Sequence, residues 1–211
     1  MVNIFTEIIN KSTYIDKVEY RKLFKEHWAD MKKSFYKYEN LQNYKDDSKF
    51  LEMYINKDFK GMREIITSLY TSEKELAKVR ENKNINLIRV HGIKYPLSEY
   101  IKLEALIYKI PHKFGQKIYF FDKDREFSNK YIMDFVIFDE KIIFILDFCD
   151  EKLQGVWQCT EDIPQIEKLC ELFRHSESKL NDFRELGVAD EEVNNAIEHI
   201  LNIGKDVYNE K

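Results

Sequence analysis

Two apolar runs, Met133 to Phe138 and Ile142 to Phe148, stand apart by only Asp139-Glu140-Lys141, and this feature constrains the fold most. Three residues leave no room for a crossover connection, so the runs must be strands that pair antiparallel through a tight turn. The same charged interruption rules out reading the region as a membrane-spanning helix, which needs about 20 consecutive apolar residues.

Upstream lies a second ordered unit. Ile85 to Val90 reads as a strand, followed by Gly92 and Pro96 and then by a helix carrying Leu97, Tyr100, Ile101, Glu104 and Ile107 on one side. Pro111 and Gly115 should stop that helix before a strand over Lys117 to Phe121, giving a β-α-β unit of parallel strands with a right-handed crossover. Gly155 to Cys159 adds a strand, and Asp162 with Pro164 opens a long helix expected to run to Leu186-Gly187. Before the unit, an irregular start gives way to a helix with Phe24, Trp28, Met31 and Phe35 on one face and Asp16 as its cap. Ser34 to Tyr44 reads as a half-buried strand, and two short helices after Asp47 are expected to part near Gly61, with Ser72 and Glu75 as a capping box for another. The fold class is therefore α/β with a mixed sheet packed by several helices. Few glycines and prolines, six and three, argue against a sandwich of many tight turns. Without repeats or linkers, the divisions expected are a helical segment over 1–33, an α/β core over 34–186 and a C-terminal helix over 187–211.

Several chemistries find no anchor. The glycines at 61, 92, 115, 155, 187 and 204 are too dispersed for a phosphate-binding loop, and His27, His91, His112, His175 and His199 never take metal-site spacing. Cys149, Cys159 and Cys170 lack a C-x-x-C pair and read as reduced packing residues. No G-x-S-x-G elbow is present. The expectation is no catalytic residue, no metal and no cofactor. Residues 1–7 show neither a basic start nor a sustained apolar stretch, as expected of a cytoplasmic chain without a signal peptide or membrane association. With 34 basic and 38 acidic residues the formal charge is −4, which argues against direct nucleic-acid binding.

A few groupings retain functional readings. Asp122-Lys123-Asp124 reads as a solvated loop before an ion site, and Asp134, Asp139 and Asp147 read as strand-end residues before a carboxylate cluster. Aromatics interleaved with lysines from Tyr36 to Tyr54 fit core packing better than base stacking. The last helix, capped by Asp190, carries a stripe of Val193, Ala196, Ile197, Ile200, Leu201, Val207 and Tyr208. That stripe either docks on its own core or presents Val193, Ile197, Ile200, Leu201 and Tyr208 to a partner, and a homo-oligomer stays open.

Ile88-Arg89-Val90, Pro96-Leu97-Ser98-Glu99-Tyr100 with Glu104, and Asp134-Phe135 followed by Ile137-Phe138-Asp139 resemble an uncharacterised bacterial domain family, known mainly from actinomycetes. Phe35 to Glu39, Tyr44 and Gly61 are similar to its opening motif, so the likeness covers about residues 30 to 185. Members are often encoded beside helix-turn-helix regulators, so the resemblance implies such a regulator as a protein partner. The order of elements is also similar to one half of a phospholipase D-type domain. Aligning that family's aspartate on Asp139 puts Ile132 at its nucleophilic histidine and Asp134 at its lysine, which implies a degenerate version without chemistry. Together these point to a non-catalytic regulatory or partner-binding protein using Arg89, His91, Glu99, Tyr100, Asp134 and Asp139 around a ligand at the end of the sheet. The alternatives are a metal-dependent nuclease, phosphodiesterase or toxin built on Asp134, Asp139 and His91, and a phage or mobile-element inhibitor.

Overall fold

A computed structural model describes residues 4–80, 84–123, 133–161, 163–176 and 181–206. The chain runs α1 (Ile4–Ile9), β1 (Thr13–Asp16), α2 (Lys17–Asp30), β2 (Ser34–Glu39), α3 (Ser48–Ile55), α4 (Phe59–Arg80), β3 (Asn86–Ile93), α5 (Glu99–Ile107) and α6 (Lys109–Lys113). It continues through β4 (Lys117–Asp122), β5 (Phe135–Phe138), β6 (Ile142–Cys149), β7 (Lys152–Cys159), α7 (Pro164–Ser176), β8 (Asn181–Asp182) and α8 (Glu191–Asp206). Short 3-10 turns lie at Lys45–Asp47 and Phe183–Leu186.

The hairpin forms where the two apolar runs place it. β5 and β6 pair antiparallel with Phe138 opposite Ile142, and Asp139 and Glu140 turn the chain at φ of 52° and 61°. Left-handed backbone suits a hairpin turn whose twist matches its strands, and Asp is among the residues that tolerate it. The strands join one mixed sheet in the order β1-β7-β6-β5-β2-β3-β4-β8. β2, β3 and β4 are parallel, so the β-α-β unit has the expected sense, and β5 lies antiparallel to β2.

Both faces of the sheet are covered, which explains why β5 and β6 are apolar at successive rather than alternate positions. On one face Tyr36, Tyr38, Ile88, Val90, Phe135 and Ile137 pack beneath α1 and α7. On the other, Phe35, Leu87, Val136, Phe138 and Phe144 pack beneath Trp28 and Met31 at the end of α2. Beyond α2 that second face is roofed by α3 to α6, and α8 completes this helical layer.

Several element boundaries differ from the sequence expectation. The irregular start holds α1 and β1, and β1 pairs antiparallel with β7 at the sheet edge. α2 is capped by Asp16, which accepts from the backbone N–H groups of Val18 and Glu19 at 2.8 and 2.9 Å, but it ends at Asp30. Phe35 therefore lies on β2 and meets Trp28 from the sheet, with ring centroids 4.9 Å apart. α4 is one 22-residue helix through both Gly61 and Ser72. The break falls earlier, where Lys57 adopts φ of 57° and Asp58 accepts from the N–H of Gly61. Pro111 sits inside α6, and Gly115 at φ 87° is the stop. α7 ends at Ser176, and residues 181–186 form a short strand and a 3-10 turn capped by Asp182. β3 and β7 each extend three residues beyond the expected strand. No described helix is long and apolar enough to cross a membrane.

Candidate ligand cavity on the sheet

Alternation along a strand puts Lys37 and Glu39 on the same face as Phe35, and Arg89 and His91 on the same face as Leu87. The parallel register aligns Phe35 with Leu87, Lys37 with Arg89, and Glu39 with His91. One sheet face thus changes along its length from apolar rows under α2 to two rows of charged and polar side chains under α3 to α6. Burying charge is costly unless it is paired, so this change marks the part of the fold that packing alone does not account for.

The charges pair among themselves. Glu39 receives Lys37 Nζ at 2.7 Å and Arg89 Nε at 3.0 Å. Burial alone would raise its carboxyl, but Arg89 and then Lys37 outweigh burial and hold it well below the usual carboxylate range. The Arg89 guanidinium lies over the Tyr108 ring, 5.1 Å from its centroid. Its Nε and Glu39 Oε2 form an ion pair by proximity without hydrogen-bond geometry, and its terminal nitrogens make no hydrogen bond among the described residues. Behind this pair, His91 Nε2 is 2.9 Å from the Leu41 carbonyl and must donate to it, which leaves Nδ1 to accept from the Tyr108 hydroxyl at 2.7 Å. Burial lowers the imidazole pKa and keeps this neutral arrangement.

The loop after β2 is pinned to the same sheet end. Gln42 donates from Nε2 to the Gly92 carbonyl at 2.8 Å and accepts from Lys94 N–H at 2.7 Å, while the Ser98 hydroxyl donates to the Gln42 carbonyl. Ser98 also caps α5, accepting from Ile101 N–H at 3.1 Å. Asp134, just before β5, accepts from Asn40 N–H at 2.9 Å and from the Tyr44 hydroxyl. Burial raises the Asp134 carboxyl to about 7 despite the Tyr44 hydrogen bond, with Glu39 adding to the rise.

Above this floor is a cavity of about 390 Å3, within the range of small-molecule sites. Lys37, Glu39, Arg89, Tyr108 and Glu104 are polar groups lining it, and Phe50, Ile65, Leu69, Leu103 and Ile107 supply apolar lining from α3, α4 and α5. Burial raises the Glu104 carboxyl more than Arg89 lowers it. A neighbouring cavity of about 160 Å3 shares Lys37, Glu39 and Tyr100 and adds Tyr44 and Asp134.

Of the residues singled out from sequence, Arg89 and Tyr100 line the larger cavity, and Asp134 borders the smaller one beside it. His91 is buried behind the floor. Glu99 is exposed and pairs with Lys102 at 2.6 Å. Asp139 sits at the far end of β5, where it accepts from the backbone N–H groups of Lys32, Lys33 and Ser34 and fixes the start of β2. Asp147 accepts from Tyr14 at the opposite sheet edge, so the three aspartates do not gather. Among the described residues no group of three His, Cys, Asp or Glu is placed to hold a metal. Ile132, Asp124 and Tyr208 lie outside the described residues. The described part of the C-terminal stripe is taken up by the protein's own core: Val193, Ile197 and Leu201 are buried against Met62, Ile66 and Leu106, with Ile200 partly buried beside them, while Val207 lies outside the described residues.

Lys37, Glu39, Glu104 and Tyr108 were not among the expected site residues. The signal for the first two is two charges at alternate positions after Phe35, on a strand whose other face is tyrosine. Their partners on β3 become apparent only through the register.

A profile of the family described as Domain of unknown function (DUF6879) matches residues 22–185. None of the curated proteins matches. Among solved structures, the chain is similar to that of TrmBL2, an archaeal chromatin protein described as showing a novel mode of DNA binding, at 13% identity and a TM-score of 0.42. The alignment covers 82% of this chain and 54% of that one, so the chain spans about half the length of its structural relative. The expectation against direct nucleic-acid binding is corrected. Its weakness is physical: a net charge of −4 is a sum over the whole surface and does not describe any one patch.

Proposed function

We propose that this protein, which belongs to the DUF6879 family of domains of unknown function, is a non-catalytic module that binds a small molecule in the cavity over β2 and β3. One observation carries the reading: the cluster of buried Glu39 with the partly buried Lys37 and Arg89 forms the floor of an open cavity instead of being packed over. Under α2 the same sheet face is covered with packed apolar side chains, among them Phe35, Leu87, Val136, Phe138 and Phe144. A purely structural layer would gain by continuing that packing, since apolar replacements for a buried ion cluster are often neutral or stabilising. Charges retained beneath a cavity therefore support a ligand that meets them. No observation favours the nuclease alternative, because Asp134, Asp139 and His91 do not converge. A cytoplasmic setting fits three free cysteines, two of them buried.

The test is a ligand-observed NMR screen of a small-molecule library against the wild type and Leu69→Trp, whose indole fills the cavity from α4. The expected result is a set of binders lost in the variant while its circular dichroism is unchanged. Binders that are retained undiminished in Leu69→Trp would place the site elsewhere.

A further inference from the structure

The polar groups of the cavity divide into those already engaged and those left over. Glu39 is occupied by Lys37 and Arg89, Asp47 accepts from the Tyr100 hydroxyl at 3.2 Å, and Asp46 accepts from Leu153 N–H at 2.8 Å. Lys49 and Glu73 also line the space; the pair set against Tyr108 is the Arg89 guanidinium and the carboxyl of Glu104, which is itself hydrogen-bonded with the Tyr108 hydroxyl. A planar guanidinium with two free nitrogens suits a carboxylate, which it grips bidentately. Glu104, beside the same tyrosine, offers an ammonium group a counter-charge once it is ionised.

Neither charge sign alone is accommodated. A simple anion meets Glu39 and Glu104 as well as Arg89, and a simple amine meets Arg89 and Lys37 as well as Glu104. A head group carrying both charges on adjacent atoms satisfies both ends of the floor. Beyond it, Phe50, Leu69, Leu103 and Ile107 offer room and contact only to an apolar body.

Resting on the cavity reading above, we infer that the ligand is a zwitterionic α-amino acid with a large apolar or aromatic side chain, its carboxylate on Arg89 and its ammonium on Glu104. Burial holds the empty-site Glu104 carboxyl toward its neutral form, with Arg89 and Lys37 opposing and Glu39 and Asp47 reinforcing that rise. Arrival of an ammonium ionises Glu104, and the proton leaves its carboxyl for the buffer. A carboxylic acid lacking the amine produces no such release.

The experiment is isothermal titration calorimetry of the full chain near pH 7 with L-phenylalanine, phenethylamine and 3-phenylpropionate, each in two buffers of different ionisation enthalpy. L-phenylalanine should bind at least tenfold tighter than either comparator, on the order expected for one charged hydrogen bond. Its apparent enthalpy alone should shift between buffers in the sense of proton release, and Glu104→Gln should abolish that shift and weaken binding by a similar factor. The comparators on wild type decide the matter even if Glu104→Gln fails to fold. Equal affinity for all three probes, or no buffer dependence, overturns the inference. If L-phenylalanine does not bind while a neutral fragment binds the wild type and not Leu69→Trp, this inference falls and the cavity reading stands. If no probe binds the wild type, both fall.

Discussion

Asp134→Asn should stabilise the protein at neutral and alkaline pH and change little in acid. In the folded protein burial moves the Asp134 carboxyl from 3.8 to about 7. The unfolded chain therefore ionises first as pH rises, and the folded state loses stability between these two values. The difference corresponds to roughly 4 kcal/mol once pH exceeds 7, and to under about 1 kcal/mol at pH 4. Asparagine is nearly isosteric: its carbonyl oxygen accepts from Asn40 N–H, and its amide donates to the Tyr44 oxygen, reversing the bond that the Tyr44 hydroxyl donates to the carboxylate. The variant removes the ionisation cost without emptying the site. Urea denaturation of both proteins at pH 4, 6 and 8 should show a stability gain that grows with pH toward that ceiling. A gain independent of pH, or a loss at pH 8, would refute the assignment of a neutral buried carboxyl to this position.

Glu39→Gln should cost about 3–5 kcal/mol, because it leaves Arg89 and Lys37 facing each other on the sheet without their counter-charge; equilibrium unfolding measures it. Ile197→Ala should cost about 2–5 kcal/mol by opening a cavity between α8 and α4, whereas a residue held for an outside partner would leave the isolated chain's stability unchanged.

What the sequence disclosed follows from which signals are local. The hairpin was legible because Asp139-Glu140-Lys141 permits one connection, and the β-α-β unit because apolar strands flank a periodic helix. The Ser72–Glu75 pattern matched a capping box yet lies within α4, since an uninterrupted apolar stripe through Met62, Ile66 and Tyr70 overrides a local alternative. Likewise Pro111 is tolerated in the short α6. In the site, Arg89 stood out as a charge within an apolar strand and Tyr100 as part of a helix start. Lys37 and Glu39 did not, because on a strand read as half-buried, charges on alternate positions describe a solvated face. Only the pairing of Lys37 with Arg89 and Glu39 with His91, under a roof of helices from distant sequence, makes that face interior. Asp139 misled for the converse reason, its carboxylate being consumed by three backbone N–H groups 105 to 107 residues away.

On this reading the charged sheet face beneath α3 to α6 receives a small molecule. The most direct measurement is a two-dimensional NMR titration of isotopically labelled protein with molecules that bind it. Amide and side-chain shifts should concentrate at Lys37, Arg89, Leu103, Glu104 and Tyr108. Shifts confined to the β1 edge or the outer surface of α2, with the cavity residues unmoved at saturation, would contradict it.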